Sequence, residues 1–135
     1  MSIINTHKNM INLYYSSESQ LGKKVYAYLN DSDKELLAID VTKTNVTGTQ
    51  WKTISDQLNI PIRNLIDVNL SDLEFNEKET ANFSQDDWIK ILNKTPQVLN
   101  HPVVIHENKY YLIQDAQEAL KFIEDPSAGI DERKK

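Results

Sequence analysis

The sequence predicts an α/β domain in which a mixed sheet carries helices on its faces. Three observations predict it. A short apolar strand is followed by a helix-spaced apolar set and then by a second apolar run, a β-α-β opening that implies a parallel pair with a right-handed crossover. A late pair of short runs flanks a two-residue turn, which adds antiparallel strands. The chain has 135 residues, 39% hydrophobic and 26% charged, enough for one buried core and one domain. That domain spans 1–135, with a core of about 11–124 and a tail over 125–135.

Ile11 to Tyr15 is apolar and aromatic and reads as a buried strand. After the polar turn Ser16 to Ser19, Leu21, Val25 and Leu29 recur at helix spacing, with Ser17 or Ser19 as the cap. Leu36 to Val41 is the second strand. Thr47 or Thr49 caps a second helix bearing Trp51, Ile54 and Leu58, which Pro61 breaks. Pro61 also opens a helical turn over Ile62 to Ile66. Residues 67–83 are acidic and read as a loop with a helical turn, and the acidic stretch from Asp67 to Asp87 reads as a solvated loop or a docking surface for a basic partner. Ser84-Gln85-Asp86-Asp87 resembles a capping box ahead of a helix with Trp88, Ile91 and Leu92 on its apolar stripe. Thr95-Pro96 reads as a further cap with proline at the first helical position. Val103 to His106 and Lys109 to Ile113 form the hairpin around Glu107-Asn108. Asp115 caps a last helix with Ala116, Ala119, Leu120 and Ile123 along one side, and Pro126 ends it. The tyrosine pairs Tyr14-Tyr15 and Tyr110-Tyr111 must each place one ring on either sheet face.

Composition excludes several functions. The net charge of −5 argues against an electrostatic nucleic-acid binder. No apolar run approaches the roughly 20 residues that span a bilayer. Met1 to Lys8 holds no long apolar stretch of the secretory type, so a cytoplasmic location is expected. Zero cysteines remove disulfides, thiolate metal sites and a thiol nucleophile together. His7, His101 and His106 lack metal-ligand spacing, and Gly22, Gly48 and Gly129 do not make a phosphate loop.

Three blocks narrow the reading. Asn59-Ile60-Pro61-Ile62-Arg63-Asn64-Leu65-Ile66, Phe83-Ser84-Gln85-Asp86-Asp87-Trp88 and Lys94-Thr95-Pro96-Gln97-Val98-Leu99-Asn100-His101-Pro102-Val103-Val104-Ile105 closely resemble segments of the arsenate reductase (ArsC) and Spx family. The resemblance spans roughly Ile11 to Ile123 and implies a thioredoxin-like fold, with a four-stranded mixed sheet and an ArsC-type helical insertion. It also implies a nucleophilic cysteine in the first strand-to-helix loop and three oxyanion-binding arginines. Here the cysteine position is Ser19, and the arginine positions fall at Asp67, His101 and near Gln114. Arg63 matches another family arginine, and Pro102 matches the family's cis-proline.

These replacements decide the chemistry. A helix N-terminus lowers a cysteine's pKa and makes a thiolate. A serine hydroxyl is not ionised by so small an effect and needs an adjacent base. Glu18 and Asp67 would repel an arsenate or phosphate anion. Thiol-dependent reduction by this chain's own side chains is therefore excluded. What remains is a binding pocket at the ancestral position, formed by Ser16, Ser17, Ser19, Lys23, His101 and Pro102. For each residue a plain role competes: turn and cap for the serines, solvated helix face for Lys23 and Lys24, ordinary surface or structural histidine for His101. The expected function is a redox-inactive binding or regulatory protein without a cofactor; the resemblance to Spx-like proteins, which act by contacting RNA polymerase, implies a regulatory protein contact. The alternative is a pocket that still takes glutathione or a similar small thiol peptide, with Ser19 as hydrogen-bond donor and residual non-thiol activity. Neither reading involves direct nucleic-acid contact or a membrane.

Overall fold

A computed structural model describes residues 10–32, 34–67, 70 and 80–123. Strands β1 (Ile11–Tyr15), β2 (Leu36–Asp40), β3 (Val103–His106) and β4 (Lys109–Leu112) form one sheet in the order β2-β1-β3-β4. β1 runs parallel to β2 and antiparallel to β3, and β3 runs antiparallel to β4. The mixed sheet expected from the sequence is present. β1, the first apolar run, is one of the two inner strands, which explains why four of its five residues are buried.

Helices α1 (Gln20–Asn30), α2 (Gly48–Leu58), α3 (Gln85–Lys94) and α4 (Leu120–Ile123) cover the faces. Alternation along β1 splits the core in two. Ile11 and Leu13 meet Val25 and Leu29 of α1 and Phe122 of α4. Tyr14 points the other way, into a larger cluster with Trp51, Ile54, Leu65, Leu92 and Val98. Trp51 and Trp88 are core residues, and Trp51 Nε1 donates to Asn93 Oδ1 at 3.3 Å, tying α2 to α3. Tyr15 stacks on Tyr26 with centroids 5.2 Å apart. Asn12 is the discordant residue: it is buried, and neither polar atom of its side chain has a hydrogen-bond partner.

The caps resolve the sequence alternatives. Ser19 caps α1 and Thr47 caps α2. Thr47 with Gln50 and Ser84 with Asp87 each close a capping box, and Asp115 accepts from Gln117 N. α2 ends earlier than proline breakage requires, because Asn59 adopts a left-handed conformation (φ 60°). Glu107 and Asn108 both have positive φ, the geometry of a type I′ hairpin turn.

Several expectations need correction. Thr95 makes no side-chain cap, and Pro96–Val98 is a single 3-10 turn. The buried stripe of α3 uses Ile89 beside Trp88 and Leu92, with Ile91 only half-buried. The last helix starts as a 3-10 turn over Ala116–Ala119 before α4. The turn after Pro61 covers Ile62–Leu65, also in 3-10 geometry. Most of the acidic 67–83 stretch and the 125–135 tail lie outside the described residues. Among the described residues no helix is long and apolar enough to cross a membrane.

Candidate functional site

The topology brings two loops together at one end of the sheet. β1 leads into the 16–19 loop, and Tyr14 near its end pairs with Val103 at the start of β3. The loop after β1 therefore faces the segment 97–102. A third strand of chain is clasped there: Asp67 N donates to Val98 O (2.8 Å), Asn100 N donates to Leu65 O (2.9 Å), and Ile66 bridges Leu99. These bonds satisfy backbone groups that would otherwise be orphaned at a buried crossing. They also fix Asp67 beside Asn100 and His101.

The result is a cleft of about 480 Å³ lined by Glu18, Ser19, Gln20, Asp67, Leu70, Gln97, Asn100 and His101. Ser19 Oγ accepts from Gly22 N at 3.0 Å, so one of its two lone pairs is used and its O–H remains a donor. The loop is tightened by Ser19 N donating to Ser16 O and Glu18 N donating to Ser16 Oγ. His101 Nδ1 donates to Asn100 Oδ1 at 2.5 Å, and Asn100 Nδ2 reaches Asn64 O at 3.5 Å. That leaves Nε2 as an acceptor on the neutral ring. Burial pushes the His101 pKa below its ordinary value, against the opposing pull of Glu118 and Asp67. The cleft thus presents carboxylates, amides, a hydroxyl donor and an imidazole held toward its neutral form. Among the described residues no group of three His, Asp or Glu side chains is placed to hold a metal ion.

Solved structures share this arrangement of strands and helices. The arsenate reductase from Vibrio cholerae matches with a TM-score of 0.68 at 15% identity, over 86% of this chain and 99% of that one. The fold is that of the arsenate reductases. A Bacteroides fragilis protein described as related to the ArsC family gives 0.65 at 16% identity, covering 87% of this chain and 99% of its own. A Staphylococcus aureus protein gives 0.59 at 20% identity, covering 81% and 96%. At these identities the likeness concerns the fold. No family model and no curated protein sequence matches the chain.

Within this arsenate reductase fold the six residues singled out from the sequence separate. Ser19 and His101 line the cleft together. Ser16 is buried beneath the loop as a turn residue. Ser17 turns away: its N–H donates to Asp40 Oδ1 and its hydroxyl pairs with Thr42. Burial works to raise the Asp40 pKa, but the hydrogen bonds from Ser17 and Thr42 outweigh it and hold the pKa low. Lys23 is exposed on α1 and does not line the cleft. Pro102 is buried behind His101, and its carbonyl accepts from Ile113 N at 2.9 Å. The peptide bond before it is trans, not cis as the resemblance implies. Trans is the form an X–Pro bond favours wherever its surroundings do not select cis.

Of the three positions matched to family arginines, Asp67 and His101 enter the cleft. Gln114 lies exposed in an adjoining groove with Arg63, Asn64 and His101. Asn100, Gln97, Gln20 and Leu70 also line the cleft, and none of them stands out in the sequence. Asn100 was accessible to sequence reasoning as the neighbour of His101, whereas Gln97 needs the 3-10 turn to face the cleft.

Proposed function

We propose that this chain works by binding, as a redox-inactive regulatory protein on an arsenate reductase fold. The observation that carries this reading is Ser19: its Oγ stands at the N-terminus of α1 as a cap on Gly22 N, with the carboxylates of Glu18 and Asp67 in the same cleft. A hydroxyl there supplies no thiolate, and two carboxylates oppose an oxyanion. The reading calls for a protein partner in the cytoplasm, no cofactor, no direct nucleic-acid contact and no membrane. In an assay with arsenate, glutathione and glutaredoxin, the expected arsenate-dependent thiol oxidation equals the protein-free blank. Turnover above blank that Ser19→Ala abolishes would overturn the reading.

A second reading keeps the cleft as a site for glutathione or a similar small thiol peptide, with residual non-thiol chemistry. The free O–H of Ser19 and a cleft of about 480 Å³ favour it. An amide chemical-shift titration with reduced glutathione separates the two. Saturable shifts confined to residues 16–24 and 101–103 support the small-molecule site. Absence of shifts at millimolar ligand leaves the protein-contact reading alone.

A further inference from the structure

The sheet has a second feature that the cleft does not use. β4 is an edge strand. Its hairpin closes on the pair His106 and Lys109, and Ile113 N donates to Pro102 O. Inward bonding alternates along an antiparallel ladder. Lys109, Tyr111 and Ile113 therefore turn their backbone groups toward β3, while Tyr110 and Leu112 turn theirs outward. The next outward N–H, that of Gln114, is already taken by Glu118 Oε1 at 2.8 Å. Among the described residues nothing pairs with the outward N–H and C=O groups of Tyr110 and Leu112.

This open stretch lies in a groove of about 440 Å³, with Leu58 and Ile60 on one wall and Glu118 and Lys121 on the other. The walls differ in chemistry. Leu58, Ile60, Tyr110 and Leu112 pack on the same apolar cluster. On the opposite sheet face Lys121 Nζ lies 4.6 Å from the Tyr111 ring centroid. Glu118 is drawn to the Gln114 end, so the charge beside Tyr111 is positive.

A strand added to this edge has a fixed alternation. Its residues opposite Tyr110 and Leu112 project onto Leu58 and Ile60. Its residue opposite Tyr111 projects beside the Lys121 ammonium. A second copy of β4 pairing about a two-fold axis would set Tyr111 against Tyr111 and bring Lys121 toward Lys121, a like-charge contact. We propose that the open edge of β4 takes up one extended segment of a partner protein, with an acidic residue between two apolar ones, as a fifth strand. The proposal deepens the binding reading and rests on it, but it uses a surface distinct from the Ser19 cleft.

The test is an amide titration of the full chain with acetyl-Thr-Val-Glu-Val-Thr-amide and its Val-Lys-Val counterpart. The glutamate peptide is expected to shift Tyr110 and Leu112 saturably and to bind about fivefold tighter than the lysine peptide. Lys121→Glu, an exposed substitution, is expected to reverse that order. Equal affinities that ignore Lys121→Glu overturn the proposal, as does the absence of saturable shifts with either peptide. Shifts at Tyr110 and Leu112 that grow with protein concentration alone overturn it in favour of self-pairing. Glutathione reports on residues 16–24 and 101–103, so failure at β4 and failure at the cleft are read separately.

Discussion

The two walls of the cleft were shaped by different constraints. The α1 wall is held by backbone bonds and one side-chain cap: Ser16 O receives Ser19 N, Ser19 O receives Lys23 N, and the cap Ser19 Oγ receives Gly22 N. It is the geometry a helix-terminal thiolate would need, and it stands without a thiol. The far wall is also fixed by backbone, through the clasp of residues 65–67 on 98–100. Its side chains, however, are Asp67, Asn100 and His101, where the resemblance calls for cations at two of the three. Scaffold and chemistry therefore separate in this cleft. The far wall's clasp runs through the backbone, so it does not depend on which side chains reach into the gap.

Deforming the α1 wall is expected to have the largest effect on the cleft. A Cβ on Gly22 would stand 2.5 Å from the backbone oxygen of Ser16. That oxygen cannot retreat without loosening its bond from Ser19 N. Overpacking of this kind costs about 1–3 kcal/mol or more, against about 1 kcal/mol regained in helix propensity. Gly22→Ala is expected to lose about 2 kcal/mol of stability in denaturant unfolding and to move the Ser16–Lys23 amide shifts. Gly48→Ala is the control, because its Cβ meets only the flexible Ile89 Cγ2 at 3.3 Å. Equal losses in the two variants would mean that the close approach at Ser16 does not hold the loop.

A smaller effect sharpens the contrast between the walls. Ser19→Cys places a thiol on the intact helix N-terminus, and its pKa is expected below the free-cysteine value of about 8.5. Glu18 and Asp67 limit the drop, because negative charges disfavour a thiolate. Adding Asp67→Arg reverses one of them and is expected to lower the thiol pKa further. Thiolate absorbance against pH measures both. If the single variant titrates like free cysteine and the double does too, the N-terminus of α1 does not supply the field that stabilises a thiolate.

Much of this was legible in the sequence, and what was not has a common cause. Periodicity and caps revealed the strands, α1, α2 and α3, since Ile11 to Tyr15 and the Leu21-Val25-Leu29 set are local signals. Which serine did what was not local. Ser17 and Ser19 are both good caps, but the end of β2 offers Asp40 and Thr42 to Ser17 and leaves Ser19 to α1. Lys23 lies near the site in sequence, yet at four residues past the cap it faces solvent. The place of Asp67 in the cleft depends on one pair of backbone bonds, Asp67 N to Val98 O and Asn100 N to Leu65 O, between segments far apart in the chain. The β4 groove needed the ladder register, which no residue type encodes by itself.

The finest probe of the far wall is the titration of His101. Burial holds its folded-state pKa below the unfolded value near 6.5, with Glu118 and Asp67 pulling the other way. The unfolded chain then binds more protons at this site as pH falls below that value. Its contribution to stability is fully present above the unfolded pKa and is lost as pH falls from there through the folded pKa. His101→Gln is expected to flatten the stability profile in that window and to leave it unchanged above it. Asp67→Asn removes a charge that favours the imidazolium, so the His101 pKa is expected to fall further and the window to widen downward. NMR titration of the ring proton measures the shift directly. A rise in the Asp67→Asn variant would mean that Asp67 acts on His101 through the shape of the clasp instead of through its charge, and the far wall would then be as purely structural as the near one.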